Sequence, residues 1–119
     1  MATSTIKSMQ ETQFNLTYLV SGSSCTSRGF YNPITKKVRL YAQFAKAYSA
    51  SSPVTMTTPI FNIPEAYRPS SMQTIPMLAI MNGNTPSAYY GEIATDGNIT
   101  QKSGNACIGV IIATEYSTV

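Results

Sequence analysis

Apolar and polar residues alternate along much of this chain with a period of two. The clearest stretch is 38–44. Val38, Leu40, Ala42 and Phe44 fall on one side of an extended backbone, and Lys37, Arg39, Tyr41 and Gln43 on the other. That alternation predicts a strand of an antiparallel sheet with one buried and one solvated face. Asn32-Pro33 just upstream favours turn initiation, so Gly29-Phe30-Tyr31 and 38–44 are expected to form a hairpin. Phe14, Leu16, Tyr18 and Val20 repeat the pattern and predict a first strand over 14–20, followed by a small-residue loop over 21–27 around Gly22.

Further along, 54–61 alternates β-branched and apolar residues with threonine and predicts a strand. Residues 72–81 are mostly apolar but contain Pro76, which cannot donate to a ladder. That strand belongs near a sheet edge or carries a bulge. Asn82-Gly83-Asn84 before Thr85-Pro86 is hairpin-turn chemistry. A second hairpin, 89–94 with 98–102, flanks Asp96-Gly97. Residues 108–114 read as a β-branched strand buried on both faces or lodged in a subunit interface, and 45–52 as a wide loop or strand end, with a short helix the alternative. Residues 1–12 carry no period and read as a leader or arm. Residues 13–119 read as a single all-β domain, an antiparallel β-sandwich or barrel.

Between the strands lies Ile-Phe-Asn-Ile-Pro-Glu-Ala-Tyr-Arg-Pro, residues 60–69. Pro64 and Pro69 fix φ, remove donors and push Ile63 and Arg68 out of the helical region. The segment is therefore expected to be an irregular crossing between sheets, anchored by Phe61, Ile63 and a partly buried Tyr67 whose hydroxyl is paired.

Composition narrows the function. The chain has 119 residues, one domain's worth. Charged residues are only 11% of it, less than half the usual share of about a quarter, which suits a protein that works outside a crowded cytosol or inside a larger assembly. The net charge of +3 comes from scattered residues, with only Lys36, Lys37 and Arg39 close together. Without a basic stripe, nucleic-acid binding is not expected. No apolar run is long enough to span a membrane, and the polar N-terminal stretch reads as neither secretory signal nor anchor.

Histidine is absent, and the two cysteines, Cys25 and Cys107, are far apart, so neither a metal site nor a cofactor is expected. They read as buried reduced thiols, with a disulfide the alternative. The five carboxylates include no pair at strand spacing. Glu92 and Asp96 come nearest, and the turn already accounts for Asp96. The chain reads as a non-enzyme. Its eight tyrosines are the better lead. Tyr89 and Tyr90 must point to opposite faces of a strand. An exposed ring beside Asn82, Asn84 and Ser87 would offer a sugar an apolar face and amide partners. The alternative is that these are ordinary rim residues. The loops around 41–48 are the next candidate.

Taken in order, Ile63-Pro64-Glu65-Ala66-Tyr67-Arg68-Pro69, the apolar strand 72–81 and Gly91-Glu92-Ile93-Ala94-Thr95-Asp96-Gly97-Asn98-Ile99 resemble the C-terminal head domains of bacteriophage tail fibres and baseplate receptor-binding proteins. The match spans roughly 38–114. Ala66 stands where that family often has Gly, and the Trp used by many of its sugar-binding heads is missing. The resemblance implies a homotrimeric head in the virion, at a tail tip, fibre or baseplate, made in the bacterial host cytoplasm. Its implied partners are cell-surface saccharide and other tail or baseplate proteins. Pro64, Tyr67, Arg68, Pro69, Asp96 and Gly97 would then be structural, and Asn82, Asn84, Tyr89 and Tyr90 the ligand-binding candidates. A purely structural trimerisation module and a polysaccharide depolymerase fragment are the competing readings.

Overall fold

The computed structural model describes residues 11–19, 24–45, 59–81, 85–103, 107 and 109–119. The strong alternation of 38–44 is a central strand, as expected. Val38, Leu40, Ala42 and Phe44 are buried, and Lys37, Arg39, Tyr41 and Gln43 are exposed. Among the described residues there are nine strands: β1 (Thr12–Phe14), β2 (Thr17–Tyr18), β3 (Ser24–Asn32), β4 (Lys37–Ala45), β5 (Pro59–Asn62), β6 (Gln73–Met81), β7 (Thr85–Ile93), β8 (Asn98–Gln101) and β9 (Gly109–Ser117). They form one antiparallel sheet in the order β1-β3-β4-β9-β6-β7-β8-β5-β2, curled into a half-barrel around a single core.

The β3–β4 hairpin turns where Asn32-Pro33 predicts it. Asn32 Oδ1 accepts the Ile34 and Thr35 N–H groups at 2.9 and 3.3 Å, the Asn32 carbonyl accepts Lys36 N–H at 2.8 Å, and Lys36 sits at φ 60°. β3 starts earlier than expected, however. Ser24 to Ser27, read as loop, continue the ladder opposite Ala45 to Ala42. A partner strand in register outweighs the poor strand propensity of serine.

The predicted first strand is two strands. β1 pairs with β3 at one edge of the sheet and β2 with β5 at the other, so the chain steps between the edges at Asn15-Leu16. Leu16 N–H donates to Ser27 Oγ at 3.0 Å, and Leu19 N–H to the Ile60 carbonyl at 2.9 Å. The alternation survives the change of partner: Phe14 and Leu16 are buried and Tyr18 is half-buried. This step draws the two edges together and closes the curl.

β9 departs from one of its two expectations, burial on both faces. It is buried on one face only, through Val110, Ile112 and Tyr116, while Ala113 and Glu115 are exposed. It lies within its own chain's sheet, paired with β4 along its whole length and with β6 only where Leu78, Ala79 and Ile80 meet Ile111, Val110 and Gly109. Beyond Leu78 the two strands part. Pro76 therefore lies where β6 is paired on one side only, as its lack of a donor requires. Cys25 and Cys107 are both free thiols, but only Cys107 is buried, and Cys25 is exposed. Most of the 45–52 and 54–61 stretches, Val20, and residues 1–10 of the expected leader lie outside the described residues.

Candidate functional site

The segment expected to cross between sheets instead joins β5 to β6 within the one sheet. It contains one 3-10 turn, Glu65–Tyr67, between Pro64 at φ −55° and an extended Arg68 at ψ 149°. The only positive φ of a non-glycine among the described residues is that of Lys36, so Ala66 adopts a negative φ and replaces glycine without strain. Phe61 and Ile63 are fully buried and Pro69 is buried. Arg68 ties the crossing to the Asp96-Gly97 turn. Its Nε donates to the Ile63 carbonyl at 2.8 Å, and its terminal NH2 donates to Asn62 Oδ1 at 3.1 Å. Asn62 Nδ2 in turn donates to the Asp96 carbonyl and Asn98 Oδ1, and Ile63 N–H to the Gly97 carbonyl at 2.9 Å. Asp96 Oδ1 accepts Asn98 N–H at 3.0 Å, which shapes the turn. The two stretches that carry the family resemblance thus form one hydrogen-bonded cluster.

Tyr67 is half-buried and stacks on Phe14, with ring centroids 4.2 Å apart and planes 10° from parallel. Phe14 in turn lies over Gly29, where a β-carbon would meet its ring at 2.2 Å. The Tyr67 N–H donates to the Pro64 carbonyl at 3.0 Å and its carbonyl accepts the Tyr116 hydroxyl at 2.7 Å, whereas the hydroxyl pairing expected from sequence is not found among the described residues. Burial raises the pKa of both Tyr116 and Tyr18, the latter pushed up to about 12 with a smaller contribution from Cys25. These tyrosines are structural.

Of the four predicted ligand residues, Asn82 and Asn84 lie outside the described residues. Tyr89 and Tyr90 are on a strand, as expected, but in its interior and not at its start. They sit within β7, opposite Met77 and Pro76, because β7 begins at Thr85. They point to opposite faces as the period of two demands. Tyr89 packs against the core, and Tyr90 is 46% exposed on the outside of the sheet. The Tyr90 backbone is fixed by Ser103 Oγ, which accepts its N–H, and by Lys102 N–H, which donates to its carbonyl, both at 2.9 Å.

Tyr90 belongs to an apolar strip on the outer face of the sheet that sequence reading did not assemble. Tyr41 and Leu78 are each 39% exposed there, with Ala113 and half-buried Ile111 between them. Two shallow depressions, of about 340 and 370 Å³, adjoin at Ala113. One is bordered by Pro76, Leu78, Tyr89 and Ile111, and the other by Phe30, Arg39, Tyr41 and Glu115. The first lies where β6 and β9 part. Tyr41 carried a sequence signal in its outward position in the alternation of β4, and Tyr90 in its place beside Tyr89 on a strand. The rest required the strand register.

Among the described residues no three histidine, cysteine, aspartate or glutamate side chains come together. Glu92 pairs with Lys102 at 3.8 Å, while Asp96 serves its turn. A scan of protein-family models finds no match for this chain, and a search of curated proteins likewise finds none.

Proposed function

We propose that this chain is a receptor-binding head domain of a bacteriophage tail fibre or baseplate, which attaches the virion to saccharide on the bacterial surface without catalysis. The observation that carries the reading is the cluster around Arg68. The crossing 63–69 and the Asp96-Gly97 hairpin are distant in sequence, yet they are joined through Asn62, Arg68 and Gly97. The conjunction that makes the chain resemble such heads is therefore a physical unit. The exposed tyrosines suit a sugar, whose C–H faces stack on aromatic rings. Weak single sites would gain from display on a homotrimer beside other tail proteins, since linked sites raise avidity by about 10² to 10⁴.

The exposed apolar strip favours a second reading, a structural module that covers this face by packing in a fibre. Binding of the labelled protein to a panel of bacterial cells, with light scattering on the same sample, separates the two. A receptor-binding head binds some cells of the panel and has a mass three times the 12.9 kDa of one chain. A trimer that binds no cell supports the structural module, and a monomer that binds none removes both readings.

A further inference from the structure

The outer face holds a transverse row whose two ends are alike. Arg28 on β3 is opposite Tyr41 on β4, and Tyr41 is opposite Ala113 on β9. Two residues past the Leu78–Ile111 pair, Ala113 and Pro76 border the same depression. Pro76 is opposite Tyr90 on β7, and Lys102 follows β8 beside Tyr90, to whose carbonyl it donates. All six are exposed. Directly opposed residues of antiparallel strands share a face. The surface therefore reads cation, tyrosine, small residue, small residue, tyrosine, cation. At about 4.8 Å per paired strand, and more across the gap between Ala113 and Pro76, the row is at least about 24 Å long.

The charge along the row is uncompensated at one end and weakly compensated at the other. Among the described residues Arg28 has no carboxylate partner, and Lys102 has only Glu92 at 3.8 Å. The neighbouring cations are engaged elsewhere: Arg39 lies 4.9 Å over the Phe30 ring and pairs with Glu11 at 3.0 Å, and Lys37 pairs with Glu115. A second copy laid face to face along the row, in either direction, would bring cation against cation at both ends. A single-stranded nucleic acid would leave its central phosphates over Ala113 and Pro76 with no cation to meet them.

We infer that this row binds an acidic cell-surface saccharide, with sugar rings stacked on Tyr41 and Tyr90 across the Ala113–Pro76 depression and anionic groups held by Arg28 and Lys102. This rests on the receptor-binding reading above and gives it a ligand class and a place. Tyrosine faces cover sugar C–H surface, and the two cations select the charged polymer over a neutral one.

The test is a glycan array carrying uronate-containing, phosphate-containing and neutral oligosaccharides, probed with the parent protein and with Arg28→Ala, Lys102→Ala and Tyr90→Ala, each checked for folding by thermal melting. Binding to acidic glycans is expected to weaken about tenfold for each cation removed and to fall with added salt. Acidic binding unchanged in the charge variants overturns the inference, as does binding confined to neutral glycans, although either result leaves the receptor-binding reading standing. An array on which nothing binds overturns both. Competition of the acidic glycan by a short oligothymidylate, or loss of oligomer mass in Tyr90→Ala, assigns the row to nucleic acid or to a second copy and overturns the inference.

Discussion

The side chain of Arg68 lies across the α-carbon of Gly97: a β-carbon built there would sit 2.6 Å from Arg68 Nε and 2.6 Å from the Ile63 carbonyl oxygen. Gly97 also has φ +90°, where L side chains are strained. Gly97→Ala is therefore expected to cost about 2 to 4 kcal/mol, from the strained backbone plus overpacking. Arg68→Lys keeps the charge but loses the fork that bridges Ile63 and Asn62, and should cost about 1 to 2 kcal/mol. Denaturant midpoints measure both. A Gly97→Ala midpoint equal to the parent's would show that the turn and the crossing are not coupled.

Replacing Tyr67 by alanine removes the ring stacked on Phe14 and tilted against Tyr31, 5.4 Å between centroids. Because the ring is only half-buried, the expected loss is about 2 to 4 kcal/mol, a little below that of a fully buried aromatic. Tyr116→Phe leaves the rings in place but takes the donor from the Tyr67 carbonyl, and should cost about 1 to 2 kcal/mol. Thermal melts of both variants decide whether ring or hydrogen bond dominates.

Gly29→Ala would place a methyl within 2.2 to 2.6 Å of three atoms of the Phe14 ring. Phe14 must then leave Tyr67, and β1 loses its hold on β3. The expected cost is about 1 to 3 kcal/mol. It should appear as faster hydrogen exchange at the β1 and β3 amides than in the parent, and unchanged exchange there would contradict this packing.

The Tyr18 hydroxyl is buried and has no hydrogen-bond partner among the described residues. Tyr18→Phe is expected to be neutral or to stabilise by about 1 kcal/mol at pH 7, since removing an unsatisfied polar group removes its desolvation cost. The pH dependence follows from the same burial. In the folded protein Tyr18 titrates near 12 and Tyr116 is also raised, while both ionise near 10 when unfolded. Between those values the unfolded chain binds fewer protons, so stability is fully present below pH 10 and is lost as pH rises through 12. Denaturant midpoints at pH 8 and pH 11 should show the fall, which Tyr18→Phe should reduce. A flat profile would show that the two hydroxyls are solvated.

Residue pattern predicts the faces of this fold better than its partners. Val38 to Phe44 declare which side is buried because alternation records burial directly, and Asn32-Pro33 and Asp96-Gly97 mark turns because those residues fit turn dihedrals. Phe14 to Tyr18 alternate just as clearly, but nothing in a period of two tells which strand lies alongside, and the chain changes edges midway. Residues 108–114 look apolar throughout, yet Ala113 faces outward because the core inside the curled sheet covers only the other face of β9. The outer row was hidden for the same reason. Arg28, Tyr41, Ala113, Pro76, Tyr90 and Lys102 come from six strands or their ends, and only pairing register brings them into line.

The position of β9 also governs the order in which the molecule can assemble. β3 with β4, and β6 with β7, are sequence neighbours that can zip as local hairpins, whereas β9 must find β4 across most of the chain, Phe44 meeting Val110. Non-local pairings of this kind close late and slowly. Until β9 arrives, both β4 and β6 present an unpaired edge, and each is a template for a strand from another chain. β9 therefore ends, for β4 and for the Leu78 to Ile80 part of β6, the interval during which the folding chain is open to aggregation or strand exchange, and that interval lasts at least as long as its own synthesis.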